Sequence, residues 1–210
     1  MAAEATPDPR DGLAVLAQQD PVIAAAIERV GIPPDRRRPC AFDTLVRVVV
    51  GQQLSVKAAA TIYGRLEDLL GGPPNPAGLR AQTDTALRSV GLSKSKLASL
   101  RDLSDAAVRG ELNVGGLASL DNEAVAAHLL PRRGVGPWTV DMMLLFSLGR
   151  PDVWPTGDLG VRAGLQRLLR LPYRPTPKQT EAFGARWAPH RSSVAMLCWR
   201  LLHVEGPHEG

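Results

Sequence analysis

A glycine-bracketed turn and a single carboxylate downstream of it carry the chemistry that this sequence offers. Gly134 and Gly136 allow a tight turn with exposed backbone N–H groups, and Pro137 suits the first residue of a following helix. Exposed N–H groups at the positive end of a helix form a phosphate-binding site that is blind to sequence. Asp158 follows in the loop WPTGD, which would hold its carboxylate near whatever molecule carries that phosphate.

Both features also have a purely structural interpretation. A plain connection between two helices uses glycine as well, and an aspartate at the start of a helix can serve only as its N-cap. We favour phosphate binding for the turn, because Gly-Val-Gly-Pro between two apolar helices is a specific pattern and Arg132 and Arg133 add positive charge. Asp158 would begin a helix that reaches Leu168, whose dipole favours the ionised carboxylate.

The elements that must position these residues all read as helices. Asp20-Pro21 predicts an N-cap followed by the first helical residue, and Gly31 predicts the end of that helix. Ser55 predicts the N-cap of another helix with one apolar face. The valine-rich run 47–50 could be a buried strand, but no second strand with turn signals lies nearby, so we predict a buried helix. The sequence therefore predicts an all-α fold of about ten helices in two lobes.

Composition narrows the class of protein without identifying it. The net charge of +4 and the pI near 9.5 fit a polyanionic partner and an ordinary Arg-rich protein about equally well. Cys40 and Cys198 have no paired-ligand spacing, which argues against a disulfide framework, a zinc site or an iron–sulfur cluster. We expect no cofactor, no signal peptide and no membrane span, and hence a cytoplasmic protein. The termini, residues 1–12 and 206–210, are expected to be flexible.

Three short motifs resemble a known family. Residues 129–130, 134–136 and 138–139 resemble the helix-hairpin-helix of the DNA glycosylase (HhH-GPD) superfamily, in which a Gly/Pro-rich loop and an aspartate follow the hairpin. Asp158 matches that aspartate. The segment 51–56, GQQLSV, resembles the motif that members acting on alkylated purines carry near the loop that inserts into DNA.

This resemblance covers roughly residues 42–199 and implies a function. The chain would be one glycosylase domain, 1–210, of the compact form, with a DNA cleft between its two lobes. It would be a monofunctional enzyme of base excision repair that hydrolyses the N-glycosidic bond of 3-methyladenine or 7-methylguanine in double-stranded DNA. It would act as a monomer that does not bind membranes.

The same resemblance implies which residues act. Asp158 would be catalytic, stabilising an oxocarbenium-like sugar and directing water. The hairpin carbonyls of Arg133 and Gly136 could hold a monovalent cation, and no other metal is expected. Gln53 and Leu54 would fill the gap left by the extruded nucleotide. The hairpin residues expected to bind the DNA backbone are Arg133, Gly134, Val135, Gly136 and Thr139.

An aromatic pocket would favour a cationic base through stacking and cation–π attraction. Trp154, four residues before Asp158, is the first choice for this pocket, whereas Trp187 and Trp199 are assigned to the core. The further pocket residues expected are Phe42, Tyr63 and Trp138.

Two departures from the family pattern refine the prediction. Bifunctional members carry a lysine where this chain has Trp138, so no amine is available there for a Schiff base and no strand cleavage is expected. Arg132 and Arg133 replace the apolar residue and the Pro or Lys that are usual in the hairpin. Two alternatives remain open: a non-catalytic DNA-binding module, and a glycosylase for deaminated or oxidised bases.

Overall fold

The computed structural model describes residues 8–205, and over this range the chain forms twelve α-helices and two short 3-10 helices but no strand. The all-α prediction is confirmed. The terminal segments predicted to be flexible fall partly on residues 1–7 and 206–210, which lie outside the described residues. Gly12, by contrast, already begins the first helix.

The helices follow one another through short connections. The two 3-10 helices span Val114–Ser119 and Ala185–Trp187. The α-helices are α1 (Gly12–Gln19), α2 (Pro21–Val30), α3 (Phe42–Gly51), α4 (Val56–Leu70), α5 (Pro76–Ala81), α6 (Asp84–Ser89), α7 (Lys94–Val108), α8 (Asn122–Leu129), α9 (Pro137–Phe146), α10 (Leu159–Leu168), α11 (Pro177–Gly184) and α12 (Arg191–Glu205).

The chain divides into two compact units. Among the described residues, the first unit combines residues 8–37 with residues 149–205, and the second is the continuous segment 38–148. The second unit contains the hairpin and the segment 51–56, whereas the first contains Asp158.

The first unit is built around α12, which packs against α10. Val194, Leu197 and Leu201 are fully buried on α12. Gly164 of α10 lies against the α12 backbone at Cys198, where a side chain would overlap the main chain. The predicted start of α2 is also confirmed, since the Asp20 carboxylate accepts a hydrogen bond from the Val22 N–H.

The second unit is built around α3, the valine-rich segment that could have been a strand. Leu45, Val46 and Val49 have no exposed surface, and α3 packs against α4, α7 and α9. A helix buried among other helices satisfies its own backbone hydrogen bonds, so it needs no pairing strand. Ser55 caps α4 as predicted, because its hydroxyl accepts the Ala58 N–H.

The described helices include none that is both long and apolar enough to cross a membrane.

Candidate active site

The turn between α8 and α9, residues 130–136, has the conformation that its glycines predict. Gly134 adopts a left-handed backbone with φ of 74°, and a side chain there would overlap the Ser99 hydroxyl. Gly136 is the N-cap of α9, and Pro137 is the first helical residue. Glycine is therefore required at Gly134 for two independent reasons, conformation and space.

The turn presents two backbone N–H groups that are available to an anion. Within the described part of the chain, the N–H groups of Gly134 and Gly136 donate to no acceptor. The neighbouring Arg133 N–H differs, because it donates to the Asp102 carboxylate at 2.9 Å. Val135 is buried, as expected for a residue that plugs the space between the two helices.

Carbonyl groups of the turn and the nearby Thr139 hydroxyl, unlike these N–H groups, already form hydrogen bonds. The Gly136 carbonyl accepts the N–H groups of Thr139 and Val140 at 2.9 and 3.2 Å. Thr139 is buried, and its hydroxyl accepts a hydrogen bond from the Gln52 side chain. The cation proposed at the carbonyls of Arg133 and Gly136 stays a prediction. No group of three or more His, Cys, Asp or Glu side chains that could hold a metal ion occurs between residues 8 and 205.

The two arginines that depart from the family pattern have different surroundings. Arg132 forms a salt bridge with Glu111 at 3.2 Å, and Glu111 also pairs with Arg109 at 2.7 Å. Hydrogen bonds from Arg109 and then Arg132 lower the pKa of Glu111 to about 2. The Arg132 charge is thus partly neutralised within the protein, whereas the Arg133 side chain is exposed to solvent.

The two adjacent glutamines in the loop between α3 and α4 have different surroundings. The Gln52 amide donates to the Gly134 carbonyl at 2.8 Å and to the Thr139 hydroxyl at 2.9 Å. Gln53 is exposed and has a left-handed backbone with φ of 57°. Leu54 is 39% exposed. Gln52 therefore holds the loop to the hairpin, while Gln53 and Leu54 face solvent.

Asp158 closes its Pro-rich loop and caps α10. Its Oδ1 accepts the Val161 N–H at 2.7 Å and the indole N–H of Trp199 at 2.9 Å. The predicted N-cap is confirmed, and it places the carboxylate at the positive end of the α10 dipole. Two donors on one oxygen hold the carboxyl group in a single orientation.

Trp199 is the residue near Asp158 that the sequence interpretation missed. It is half-buried rather than part of the core, so the assignment to the core was wrong. A side chain at Gly160 would come within 2.8 Å of the Trp199 ring, so glycine permits the indole to reach the carboxylate. A helical wheel offered one signal, because Trp199 lies off the α12 face that carries Leu197 and Leu201. A shallow pocket opens beside the Trp199 side chain, and it is lined by Pro33, Pro34, Arg36, Met196, Trp199 and Arg200.

Cys198 is an ionisable group that lies close enough to Asp158 to sense its charge, and it is fully buried. Burial, and secondly the negative charge of Asp158, raise the pKa of the Cys198 thiol. The Cys198 thiol therefore stays protonated and uncharged.

The first choice for the aromatic pocket lies in the core of the first unit. Trp154 is only 8% exposed, and its indole N–H donates to the Thr180 carbonyl at 2.8 Å. The centroids of the Trp154 and Trp187 rings lie 5.9 Å apart in an edge-on arrangement. A side chain at Gly184 would overlap the Trp154 indole. Trp187 is a core residue, as predicted. These contacts give Trp154 a packing role, and they do not support its assignment to a base pocket.

The other predicted pocket residues lie in the second unit. Tyr63 is buried, and the Arg47 guanidinium lies 3.5 Å above its ring, so that face is not available for stacking. Phe42 begins α3 and Trp138 lies in the first turn of α9, and both are half-buried. Their role in base binding stays a prediction.

Comparison with known proteins gives a consistent result. Residues 46–190 match the profile of the HhH-GPD superfamily, described as base excision DNA repair proteins. DNA-3-methyladenine glycosylase 1 of Schizosaccharomyces pombe is 35% identical over 162 residues, covering 76% of this chain and 71% of that protein. A putative DNA-3-methyladenine glycosylase of Bacillus subtilis is 27% identical over 77% of this chain, which spans only 58% of that relative's length.

A solved structure supports the same similarity. The 3-methyladenine DNA glycosylase of S. pombe, determined in complex with abasic DNA, superposes with a TM-score of 0.86 at 31% identity. The superposition covers 91% of this chain and 96% of that one. Similarity of this extent concerns the whole fold rather than the hairpin alone.

Proposed function

Because the family profile matches well over half of the chain, the protein belongs to the HhH-GPD superfamily of base excision DNA repair proteins, and we propose that it removes alkylated purines from DNA. The resemblance inferred from the hairpin and the aspartate is thereby confirmed. The relatives in S. pombe and B. subtilis are named DNA-3-methyladenine glycosylases, in agreement with the predicted substrate class.

The observation that carries this proposal is the placement of Asp158. The carboxylate caps α10 and is oriented by the Trp199 indole and the Val161 N–H. A purine methylated at N3 or N7 is cationic and leaves without strong acid catalysis. The remaining task is to stabilise the positive charge that develops on the sugar as the C1′–N bond breaks, and an ionised carboxylate does this. Water then adds to C1′ and yields an abasic site.

The hairpin would hold the DNA backbone during this reaction. The available N–H groups of Gly134 and Gly136, at the start of α9, suit two oxygens of a phosphate. The exposed Arg133 adds positive charge nearby. Contacts of this kind are independent of base sequence, which is what an enzyme that inspects many positions needs.

The base must leave the helical stack before Asp158 can act on its sugar. Gln53 and Leu54 are exposed on their loop and would fill the vacated space. The Trp199 ring, whose N–H edge lies beside Asp158, would contact a cationic base through cation–π attraction. In this proposal Trp199 replaces Trp154 as the first choice for the pocket.

Base release without strand cleavage is also part of the proposal. Trp138 stands where bifunctional members carry a lysine, so the hairpin offers no amine for a Schiff base. Duplex DNA containing one 7-methylguanine, one uracil or one 8-oxoguanine would be incubated with the protein, and free base and strand breaks scored separately. We expect release of 7-methylguanine alone, with breaks only after heating in alkali. Direct strand cleavage would refute the monofunctional assignment.

Substitution of Asp158 tests the catalytic role. Asparagine also caps helices, so Asp158→Asn should fold while base release falls on the order of 10²–10³-fold. Asp121→Asn is the matched control, because Asp121 caps α8 in the same way through the Ala124 N–H. We expect the control to retain activity and both variants to bind DNA. Full activity in Asp158→Asn would contradict the mechanism, and binding without base release by the unaltered protein would indicate a DNA-binding module.

A further inference from the structure

Lys96 connects two helices of the second unit through an unusual pair of hydrogen bonds. Its ammonium group donates to the carbonyl oxygens of Val50 at 2.7 Å and Gln52 at 2.9 Å. Both carbonyls lie at the carboxyl end of α3, where no further turn of helix supplies N–H donors and the helix dipole favours a cation. Burial lowers the pKa of Lys96, the direction expected for an ammonium group withdrawn from water.

The side chain of Gln52 also anchors the loop between α3 and α4, to which Gln52 itself belongs. The Gln52 amide donates to the Gly134 carbonyl and the Thr139 hydroxyl, which belong to the hairpin and to α9. The end of α3 and the start of the loop are therefore fixed by four hydrogen bonds to residues distant in the sequence. Two come from Lys96 of α7, and two connect to the hairpin.

The residues directly after this anchor are strained and exposed. Gln53 has φ of 57°, and a residue other than glycine in this region costs free energy and persists only where its surroundings determine it. Leu54 is 39% exposed and Val56 is 74% exposed. The anchored loop and the first residue of α4 thus present two neighbouring apolar side chains, Leu54 and Val56, at a surface that a partner can contact.

We propose that Lys96 is a positioning residue for base release, which holds the loop at 52–55 so that Gln53 and Leu54 are ready to enter the gap left by the extruded nucleotide. This inference rests on the proposed glycosylase function. A side chain that is already ordered loses less conformational entropy when it inserts. Lys96 should therefore affect extrusion of the base from a duplex, and affect neither the bond cleavage at Asp158 nor backbone binding by the hairpin.

The test compares Lys96→Met with Lys94→Met. Lys94 is exposed, lies two residues earlier at the start of α7, and makes none of these contacts, so its substitution removes the same charge without releasing the loop. Single-turnover rates of 7-methylguanine release would be measured on a duplex and on the corresponding single strand, in which no base pair has to open. Lys96→Arg, which keeps two donors, provides a second variant that retains the charge.

The expected result is a selective defect. Lys96→Met should release base from the duplex on the order of tenfold more slowly, because two carbonyl groups lose a charged donor, and the single-strand rate should change less than about twofold. Lys94→Met should leave the ratio of the two rates unchanged, and Lys96→Arg should recover most of the duplex rate. An unchanged ratio of the duplex rate to the single-strand rate in Lys96→Met would overturn the proposal, whether both rates fall equally or neither falls.

A second measurement does not depend on the reaction. Hydrogen exchange of the amides at 52–56 in the DNA-free protein should be faster in Lys96→Met and unchanged in Lys94→Met. If the unaltered protein released no base from any substrate, the glycosylase function would fail. The exchange result would still decide whether Lys96 holds the loop, and unchanged exchange in Lys96→Met would overturn the positioning role.

Discussion

Replacing Trp199 by phenylalanine tests whether the orientation of the Asp158 carboxylate contributes to catalysis. The substitution removes the indole N–H that lies 2.9 Å from Oδ1 and keeps an aromatic ring in place. A hydrogen bond to a charged group contributes about 1.5–3 kcal/mol. The Val161 N–H still holds the same oxygen at 2.7 Å, so only part of this free energy should be lost. We expect base release to slow about tenfold, equivalent to about 1.4 kcal/mol.

The assay is single-turnover release of 7-methylguanine from duplex DNA at saturating enzyme, so that the rate reports events after binding. The matched control is Trp187→Phe in the same unit. The indole N–H of Trp187 donates to the Asp20 carboxylate, also at 2.9 Å, which is an equivalent bond at the start of α2. Trp187→Phe should lower the temperature of unfolding, because Trp187 is fully buried. It should slow base release less than Trp199→Phe does.

Two results would refute the reasoning. An unchanged rate in Trp199→Phe would show that the indole hydrogen bond does not matter for the reaction. An equal loss of rate in Trp187→Phe would show that both substitutions act through general destabilisation of the unit. Affinity for DNA, measured separately, should stay unchanged in both variants.

Two further predictions concern folding. Gly134→Ala should destabilise the protein by about 1–2 kcal/mol, because alanine is strained at positive φ and would overlap Ser99. Gly136→Ala should cost less than about 1 kcal/mol of folding free energy, because the space around Gly136 is open. Equal losses in urea unfolding would contradict this assignment. The Asp152 carboxylate pairs with the Arg191 guanidinium at 2.8 Å, and the hydrogen bonds from Arg191 lower the pKa of Asp152 from its usual 3.8. The ion pair therefore stabilises the fold above pH 3.8, and this stabilisation is lost as the pH falls through the lowered pKa. Asp152→Asn should therefore be less stable than the unaltered protein at neutral pH, and the difference should shrink in unfolding measured near about pH 3; a difference independent of pH would contradict the ion pair.

The sequence predicted those parts of the molecule that depend on neighbouring residues. Asp20, Ser55 and Asp158 were identified as N-caps, and each cap bond joins residues two or three positions apart. The hairpin was recognisable for the same reason, since Gly134 and Pro137 act on their own backbone. The valine-rich helix was assigned correctly only because no partner strand was present nearby. Local hydrogen bonding and backbone conformation are legible in sequence because they involve few residues at fixed spacing.

The tertiary structure decided the contacts between residues that are far apart in the chain. Trp199 and Asp158 are 41 positions apart, and Gln52 and Gly134 are 82 positions apart. Helical periodicity shows which face of a helix is apolar, but not which helix covers it or which polar group lies there. Trp154 was therefore assigned to a pocket although it packs on Trp187, and Trp199 was assigned to the core although it orients the carboxylate. The carboxylate and its cap bond to Val161 could be found from the sequence, whereas the Trp199 indole that also orients the carboxylate depends on how α10 and α12 pack together.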